Sequence, residues 1–598
     1  MRIVPVRIGL AVVILLGFVT YASLAHFVVT PRIFFDELLY LEAADSLVSG
    51  EGLDVRGEPY VRGILYPLLL APLLWIAPDR EVGYELSKLL NVLLFVLAAI
   101  PVFFLARRLL PAWQSLGVAA LSIAVPSSVY VTVVMTESLS YLSVCCALLA
   151  IQLAVERPSA LRQGAALVAI AIAFLTRSQF IALYAAYLLA LALIVLLVPA
   201  RRTTPGRLLA VLWPTALSVV AGLVAFVVTP LARGDSPLDS IGDYDAVVRV
   251  FDPVSIAEWL VYHAAGLELY MAVVPVAVAP IVCFAYFARA RAGSERHGAF
   301  LATFVAVNAA LLLLVAFVVA NYEDTELGID RLHDRYLFYV VPLWLILLFS
   351  WIRAGAPRPV RAAGLGASLA LLLAVAFPYR ELDIEDGTRL FSATGTALPA
   401  AIRELAGSAL AGGIVVVLLT ALLIAAALGR PEKAARVSIG ALVAVFVLNG
   451  LLVWARAYNP PERDVFDRTR LERRWVDERV PEGASVALVQ APCAGAVLQR
   501  DSFYVTEFFN SSVGQVVDVG GEFPTGRLDG RGRVLLNSGK ALEADHVVAQ
   551  PGVPIRGRRV GSGTSAGLVL WEIDVPVRID GAASSGDLVR RACGGSGA

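Results

Sequence analysis

Apolar segments of about twenty residues recur through the first three quarters of the chain, and no other feature constrains its fold as strongly. A helix of about 20 apolar residues crosses a bilayer core about 30 Å thick. The 598-residue chain is 58% hydrophobic and 16% charged, which is far from the composition of soluble domains. We therefore predict an α-helical polytopic membrane protein with about 13 transmembrane helices. The predicted spans are 8–29, 86–105, 113–134, 138–155, 163–176, 179–198, 208–231, 268–288, 299–320, 336–352, 362–378, 409–428 and 437–457.

Positive charge is concentrated in every second connection between these spans. Cytoplasmic loops carry an excess of Lys and Arg, so these connections are predicted to face the cytoplasm. The intervening connections are acidic or mixed in charge. An odd number of spans then predicts a cytoplasmic N-terminus, an extracytoplasmic C-terminal region and a multi-pass protein of the plasma membrane. The basic connections contain Arg107, Arg108, Arg157, Arg162, Arg201, Arg202, Arg207, Arg289, Arg291, Arg296, Arg353, Arg358, Arg361, Arg430, Lys433 and Arg436.

The composition changes after the last apolar span, and this predicts three regions. Residues 1–457 form the transmembrane domain, 458–480 a charged linker or juxtamembrane helix, and 481–598 a small extracytoplasmic domain. Short runs rich in Val and Leu, separated by Gly, Pro and Asp, predict a β-rich or α/β fold for the last region. Cys493 and Cys593 both lie there, and an oxidising compartment would permit a disulfide between them.

Several predicted outside connections are too long to serve only as links. The first contains the apolar stretch 61–76, interrupted by Gly63, Pro67 and Pro72. A true span there would invert every later crossing, so we predict a helix at the outer membrane interface. These long outside connections predict a function that faces outward. The sequence contains no metal-ligand cluster, P-loop, dinucleotide fingerprint or nucleic-acid-binding patch, so we expect no nucleic-acid partner.

An acidic pair, Asp36-Glu37, follows the first span and belongs to the first of four motifs that contain acidic or basic side chains. The motifs are Phe35-Asp36-Glu37-Leu38-Leu39-Tyr40, Arg62-Gly63-Ile64-Leu65-Tyr66-Pro67, Pro126-Ser127-Ser128-Val129-Tyr130 with Thr136-Glu137-Ser138, and Thr176-Arg177 with Asp334-Arg335-Tyr336. Together they resemble the motifs of the GT-C glycosyltransferases, multi-span enzymes that take a sugar from a polyprenyl-phosphate carrier. One departure is that Gly63-Ile64 stands where the family has prolines.

The resemblance implies roles for seven side chains, which the chemistry of glycosyl phosphates makes understandable. A carboxylate can take the proton of an acceptor hydroxyl, and Asp36 is the implied general base. Arginine suits phosphate because its planar fork binds phosphate oxygens with charge-assisted bonds. Capping of the loop helix by Asp36, and headgroup anchoring by the arginines, stay open as alternatives. The implied substrate-binding residues are Glu37, Arg62, Glu137, Arg177, His333 and Arg335.

The predicted function is transfer of a sugar from a polyprenyl-phosphate donor to a cell-envelope glycan outside the cytoplasm. The lipid bilayer, in which the enzyme is embedded, is a further partner. Arabinofuranose and mannose are the sugars that composition and analogy favour. Protein O-mannosylation and transport of a lipid-linked sugar are the alternatives. A transporter would be expected to carry inverted repeats, and the sequence has no internal repeat. No cofactor is predicted, and a divalent metal between the donor phosphate and Asp36 is left open.

Overall fold

The structure, a computed structural model, divides into two compact units. It describes residues 4–28, 31, 34–56, 58–60, 63–201, 205–233, 252–322, 332–380, 394–457, 473–491, 497–519, 525–563, 567–573, 576–581, 584–585 and 588. The first, here called the helical unit, comprises Met1–Ser23, Asn91–Val131 and Thr136–Ala457. The second, the mixed unit, comprises Leu24–Leu90, Thr132–Met135 and Tyr458–Ala598. Each is described by itself.

Long apolar helices dominate the described chain. By length and composition, 8 helices of the described residues could cross a membrane, or 9 if one bent pair is a single span. The bent pair, Ala112–Ile123 and Pro126–Thr132, turns through 58°. The 8 helices are Val6–His26, Arg80–Ala106, Glu137–Glu156, Ser178–Leu197, Val274–Arg291, Glu295–Asn321, Ala409–Gly429 and Pro431–Ala455. Shorter apolar helices are Leu65–Ile76, Ala160–Thr176, Trp213–Leu223, Phe338–Arg353 and Val360–Ala376.

The predicted class, a polytopic helical membrane protein, is confirmed. Each predicted span coincides with a long helix, with the bent pair or with a shorter apolar helix. The boundary predicted at residue 268 is wrong, because that span begins at Val274. The preceding helix, Pro253–Tyr270, continues past residue 268, and Ala272 and Val273 then take φ values of 55° and 67°. A left-handed backbone at these residues ends one helix, and Pro275 opens the next.

Four connections predicted to lie on one side of the membrane meet at a single residue, Glu156, in the helical unit. Glu156, 1% exposed, closes the helix Glu137–Glu156. Arg108 donates to it through two nitrogens, at 2.5 and 3.0 Å, and Arg296 Nε lies 3.4 Å from Glu156 Oε1. Arg201 donates to the Glu156 carbonyl at 2.5 Å. These charge-assisted bonds tie the ends of several helices together.

In the mixed unit, the first long connection is folded into short elements. A helix over Phe34–Val48 is followed by the antiparallel strands β1 (Asp54–Val55) and β2 (Glu58–Pro59). The helix Leu65–Ile76 occupies most of the apolar stretch predicted to form an interfacial helix. The next helix begins at Arg80.

The C-terminal part of the mixed unit is α/β, one of the two folds that the sequence predicts. Its strands are β3 (Val486–Gln490), β4 (Val513–Asp518), β7 (His546–Ala549), β8 (Arg558–Gly563) and β9 (Leu568–Glu572), beside a separate hairpin of β5 (Gly526–Leu528) and β6 (Val534–Leu536). The five-stranded sheet has the order β4-β3-β7-β9-β8. Strand β3 pairs in parallel with β4 and β7, and the helix Val497–Phe509 makes the crossover from β3 to β4. Strand β9 is antiparallel to both of its neighbours.

Two hydrophobic cores cover the two faces of this sheet. One contains Val489, Val517 and Val547, and the other contains Trp475, Leu488 and Val548. Residues on β3 and β7 alternate between the two cores, as strand geometry requires. Cys493, Cys593 and residues 458–472 lie outside the described residues, so the disulfide and most of the linker stay predictions.

Candidate active site residues

Asp36 lies in the first turn of the helix Phe34–Val48, in the mixed unit. It is the third residue of that helix, so it is not the capping residue that precedes the first turn. Its side chain is half-buried and makes no hydrogen bond or ion pair with any described residue. A carboxylate at a helix N-terminus is favoured by the helix dipole and needs no cation. The described residues therefore leave the Asp36 carboxylate without a hydrogen-bond or ion-pair partner.

Its neighbour Glu37 is committed to the protein. The side chain is fully buried, and its Oε2 accepts hydrogen bonds from the Val134 amide at 2.7 Å and the Tyr84 hydroxyl at 3.2 Å. These bonds join the helix Phe34–Val48, here called the first-loop helix, to the segment 132–135 and to the helix that begins at Arg80. Buried polar groups are stable only when they are paired in this way. Asp36 and Glu37, which are adjacent in one motif, therefore lie in different environments.

Lys88 fixes the chain just ahead of the acidic pair. Its ammonium is fully buried and donates to the carbonyl oxygens of Ala25, at 3.0 Å, and of Val28. It also forms an ion pair with Glu85 at 2.7 Å and lies 4.8 Å from the centre of the Tyr84 ring. Carbonyl groups at the end of a helix lack partners within the helix, and a cation there satisfies them. The sequence analysis did not identify Lys88 or Tyr84.

In the helical unit, Glu137 and Arg177 form a buried ion pair. Arg177 Nη1 donates to Glu137 Oε1 at 2.6 Å, with side-chain exposures of 14% and 0%. Glu137 is the first residue of its helix, where the dipole favours a negative charge. Its other oxygen, Oε2, is buried and has no hydrogen-bond partner among the described residues. The pair therefore leaves one acceptor position on Glu137 for a further donor.

Tyr336 is the point at which three other predicted residues converge. The guanidinium carbons of Arg177 and Arg335 lie 5.2 and 5.0 Å from its ring centre. Arg335 Nη2 donates to the Tyr336 hydroxyl at 3.0 Å, and the His333 ring centre is 5.4 Å from that of Tyr336. Two cations on one aromatic ring make a positive cluster, here called the Tyr336 cluster with Glu137 included. The motif Asp334-Arg335-Tyr336 supplied the clue to it.

Asp334 anchors the segment that carries this cluster. Its buried carboxylate accepts from the amides of Thr394, at 2.9 Å, and Gly395. Burial raises the pKa of Asp334 to about 7, against these hydrogen bonds, which lower it. The His333 amide donates to His263 Nε2 at 3.2 Å. Burial lowers the pKa of His263 to about 4, so its ring is neutral and able to accept that bond.

Two further points of the predicted site concern Arg62 and a divalent metal. Arg62 lies outside the described residues. No group of three or more His, Cys, Asp or Glu side chains suited to a metal ion occurs in the described part of the chain. Asp36 has no second carboxylate partner of that kind, so the described residues offer no ready metal site beside it.

Comparison with solved structures identifies the fold. ArnT from Cupriavidus metallidurans bound to undecaprenyl phosphate matches with a TM-score of 0.50 at 14% identity, over 95% of this chain and 97% of that one. The apo form of the same protein gives 0.49 at 14% identity, over 93% and 97%. The apo oligosaccharyltransferase of Archaeoglobus fulgidus gives 0.41 at 14% identity, over 83% and 63%. No protein-family model matches the chain, and no curated protein does.

The match to ArnT extends over nearly the whole of both chains. The chain therefore has the GT-C fold, and the resemblance inferred from its motifs is confirmed at the level of fold. An identity of 14% carries no information about substrates. The roles of individual residues depend on the geometry described above.

Proposed function

We propose that the chain is a membrane glycosyltransferase that moves one sugar from a polyprenyl-phosphate donor to an acceptor outside the cytoplasm. The observation that carries the proposal is the carboxylate of Asp36, which has no hydrogen-bond or ion-pair partner among the described residues, in a chain with the GT-C fold. The ArnT structure was solved with undecaprenyl phosphate, a polyprenyl phosphate, which supports a donor of this class. The outward-facing topology is the one that the distribution of arginines predicts.

The proposed reaction is a direct displacement at the anomeric carbon. The acceptor hydroxyl gives its proton to the Asp36 carboxylate while its oxygen bonds to that carbon. The bond between the anomeric carbon and the phosphate oxygen breaks, and polyprenyl phosphate leaves with the electron pair. Glu37 holds the helix that carries Asp36 and so orients it, rather than contacting the sugar.

The Tyr336 cluster is proposed to bind the donor phosphate. Arg177 and Arg335 are the cations, and a phosphate between them would gain charge-assisted bonds. Glu137 holds Arg177 in place, and its Oε2, which has no hydrogen-bond partner among the described residues, is proposed to accept a hydrogen bond from a substrate hydroxyl. His333 is proposed to assist by packing on Tyr336. Arg62 keeps its predicted role in phosphate binding.

Arabinofuranose or mannose transfer to a cell-envelope glycan is the most specific form of the proposal. A protein acceptor, as in O-mannosylation, is the nearest alternative, and a flippase for lipid-linked sugars is the alternative from another class. One assay tests the proposal and both alternatives. It uses purified protein in lipid nanodiscs with radiolabelled polyprenyl-phosphate arabinofuranose or polyprenyl-phosphate mannose. Cell-wall glycan and secreted protein serve as separate acceptors.

We expect label to pass to the glycan with one of the two donors and Asp36→Ala to abolish the transfer. Label on protein instead would identify the acceptor as a polypeptide. Movement of the donor across a liposome bilayer without any transfer would contradict the enzyme class and favour the flippase. Transfer that survives Asp36→Ala would remove Asp36 as base and leave the class standing.

A further inference from the structure

A chain of four buried polar side chains in the helical unit ends at the residue that precedes Arg335. Tyr270 is the last residue of the helix Pro253–Tyr270, and its hydroxyl oxygen lies 2.9 Å from Ser127 Oγ. Ser127 Oγ lies 2.8 Å from Thr394 Oγ1, which donates to Asp334 Oδ1 at 3.3 Å. All four side chains are buried. They come from four separate parts of the sequence, and the proposed reaction does not yet use the three hydroxyls.

The direction of these hydrogen bonds follows from the carboxylate at one end. In its ionised form Asp334 only accepts, and the amides of Thr394 and Gly395 already donate to its two oxygens. Thr394 gives its single hydroxyl proton to Asp334, so Ser127 must be the donor to Thr394. Tyr270 must then be the donor to Ser127. The Tyr270 hydroxyl is therefore the first donor of a one-way chain, in which each bond polarises the next.

The ring of Tyr270 is held by packing that does not depend on its hydroxyl. Its Cδ2 lies only 1.9 Å from the place that a Cβ atom on Gly395 would occupy, so the close approach requires glycine. The ring also meets the ring of Phe446 edge to face, with the centres 5.9 Å apart. Replacing Tyr270 with Phe should therefore remove the hydroxyl and keep the packing.

The other end of the chain determines where Arg335 lies. The short helix Asp334–Tyr336 begins with the carboxylate that the chain holds, and Arg335 follows it directly. Three donors of the short helix Thr394–Thr396 hold that carboxylate: two amides and the Thr394 hydroxyl. Ser127 and Tyr270 in turn orient the hydroxyl. Loss of the first donor should thus loosen the place of Arg335 without breaking the ion pair between Glu137 and Arg177.

We infer that Tyr270 is a positioning residue for the donor phosphate, acting through Ser127, Thr394 and Asp334 on Arg335. The inference rests on the proposed function for the role of Arg335 in phosphate binding. Binding of a polyprenyl phosphate can nevertheless be measured without any transfer, so the two claims can fail separately.

The test uses the full chain in detergent, with undecaprenyl phosphate as the probe. Tyr270→Phe removes the first donor, Thr394→Val interrupts the chain, and Thr394→Ser keeps a hydroxyl at that place. The matched control is Tyr187→Phe, because Tyr187 is also buried in the helical unit and its hydroxyl lies 3.0 Å from Thr215 Oγ1. Thermal unfolding establishes that each variant is folded, and native mass spectrometry measures the dissociation constant of the probe.

We expect Tyr270→Phe and Thr394→Val to raise the dissociation constant about three- to tenfold, the effect of losing one buried hydrogen bond. Thr394→Ser and Tyr187→Phe should bind the probe like the wild type. In the transfer assay, KM for the donor should rise by the same factor while kcat and KM for the acceptor are unchanged. A purely structural role would instead lower the unfolding midpoint and leave KM for the donor unchanged.

A double-mutant cycle with Arg335→Lys tests the route of the effect. Tyr270→Phe should weaken binding less in the Arg335→Lys background than in the wild type, because the planar fork that the chain positions is already lost. An equal loss in both backgrounds would overturn the inference.

Three further results would also overturn the inference: equal affinity of Tyr270→Phe and the wild type, an equal loss in Tyr187→Phe, or no binding of undecaprenyl phosphate to the wild type. Binding that depends on Tyr270, in a protein that transfers no sugar from any donor, would overturn the proposed function and leave this inference standing.

Discussion

The first-loop helix and the Tyr336 cluster both contain acidic residues from the same set of motifs, but these acidic residues have different partners. In the first-loop helix, Asp36 has no cation beside it among the described residues, and Glu37 is bound by an amide and a hydroxyl. In the Tyr336 cluster, Glu137 is bound to Arg177. The Glu137 carboxylate therefore holds the Arg177 guanidinium, while no described side chain holds the Asp36 carboxylate.

The largest expected effect on stability is at Arg177. Replacing it with Ala leaves the buried charge of Glu137 unpaired, which costs about 3–5 kcal/mol. The double variant Arg177→Ala with Glu137→Gln should recover part of this loss, because the buried charge is gone. Thermal unfolding of the four proteins of this double-mutant cycle measures the coupling. Equal stability of Arg177→Ala and wild type would show that the pair does not hold the cluster together.

Asp334 should make the stability of the helical unit depend on pH. Its pKa is raised from 3.8 to about 7 in the folded protein, so folding takes up a proton between these values. The contribution of Asp334 to stability is therefore greatest at pH 4 and below, falls as the pH rises towards 7 by at most about 1.4 kcal/mol per pH unit, and is flat above pH 7.

Unfolding midpoints measured from pH 4 to pH 8 test this, with Asp334→Asn as the comparison. The Asn variant should lose this component of the pH dependence while the rest of the profile is retained. A profile for Asp334→Asn that parallels the wild type would assign the dependence to other groups.

Glu37 should contribute to stability without being the base. Glu37→Gln retains the size of the side chain but weakens its acceptor bonds to Val134 and Tyr84, which should cost about 1–3 kcal/mol. Residual transfer, corrected for the folded fraction, should stay within about tenfold of wild type. A loss of transfer with an unchanged unfolding midpoint would instead place Glu37 in the chemistry.

The smallest expected effect is at Arg335. Arg335→Lys keeps the charge but loses the planar fork, so KM for the polyprenyl-phosphate donor should rise a few-fold with little change in stability. The matched control is Arg558→Lys in the exposed pair with Glu572. An unchanged donor KM for Arg335→Lys would favour headgroup anchoring over phosphate binding.

Much of this arrangement could be predicted from local sequence, and the part that could not depends on long-range contacts. Apolar length located the helices because a bilayer sets their length, and motif resemblance selected Arg177 and Arg335. No local pattern indicated that Lys88 binds carbonyls about sixty positions away, or that Arg177 lies on the ring of Tyr336. The break at Ala272 and Val273 was also missed, because apolar residues carry no turn signal.

The central claim is that Asp36 is the catalytic base, and the turnover rate of Asp36→Asn tests it most directly. The rate is measured at saturating donor and acceptor, beside the wild type, after both proteins give the same unfolding midpoint. Because the Asp36 side chain has no hydrogen bond or ion pair with the described residues, the substitution should leave that midpoint unchanged. It should lower kcat by about 10²–10⁴-fold, because the general base is lost. A kcat within a few-fold of wild type would contradict the account.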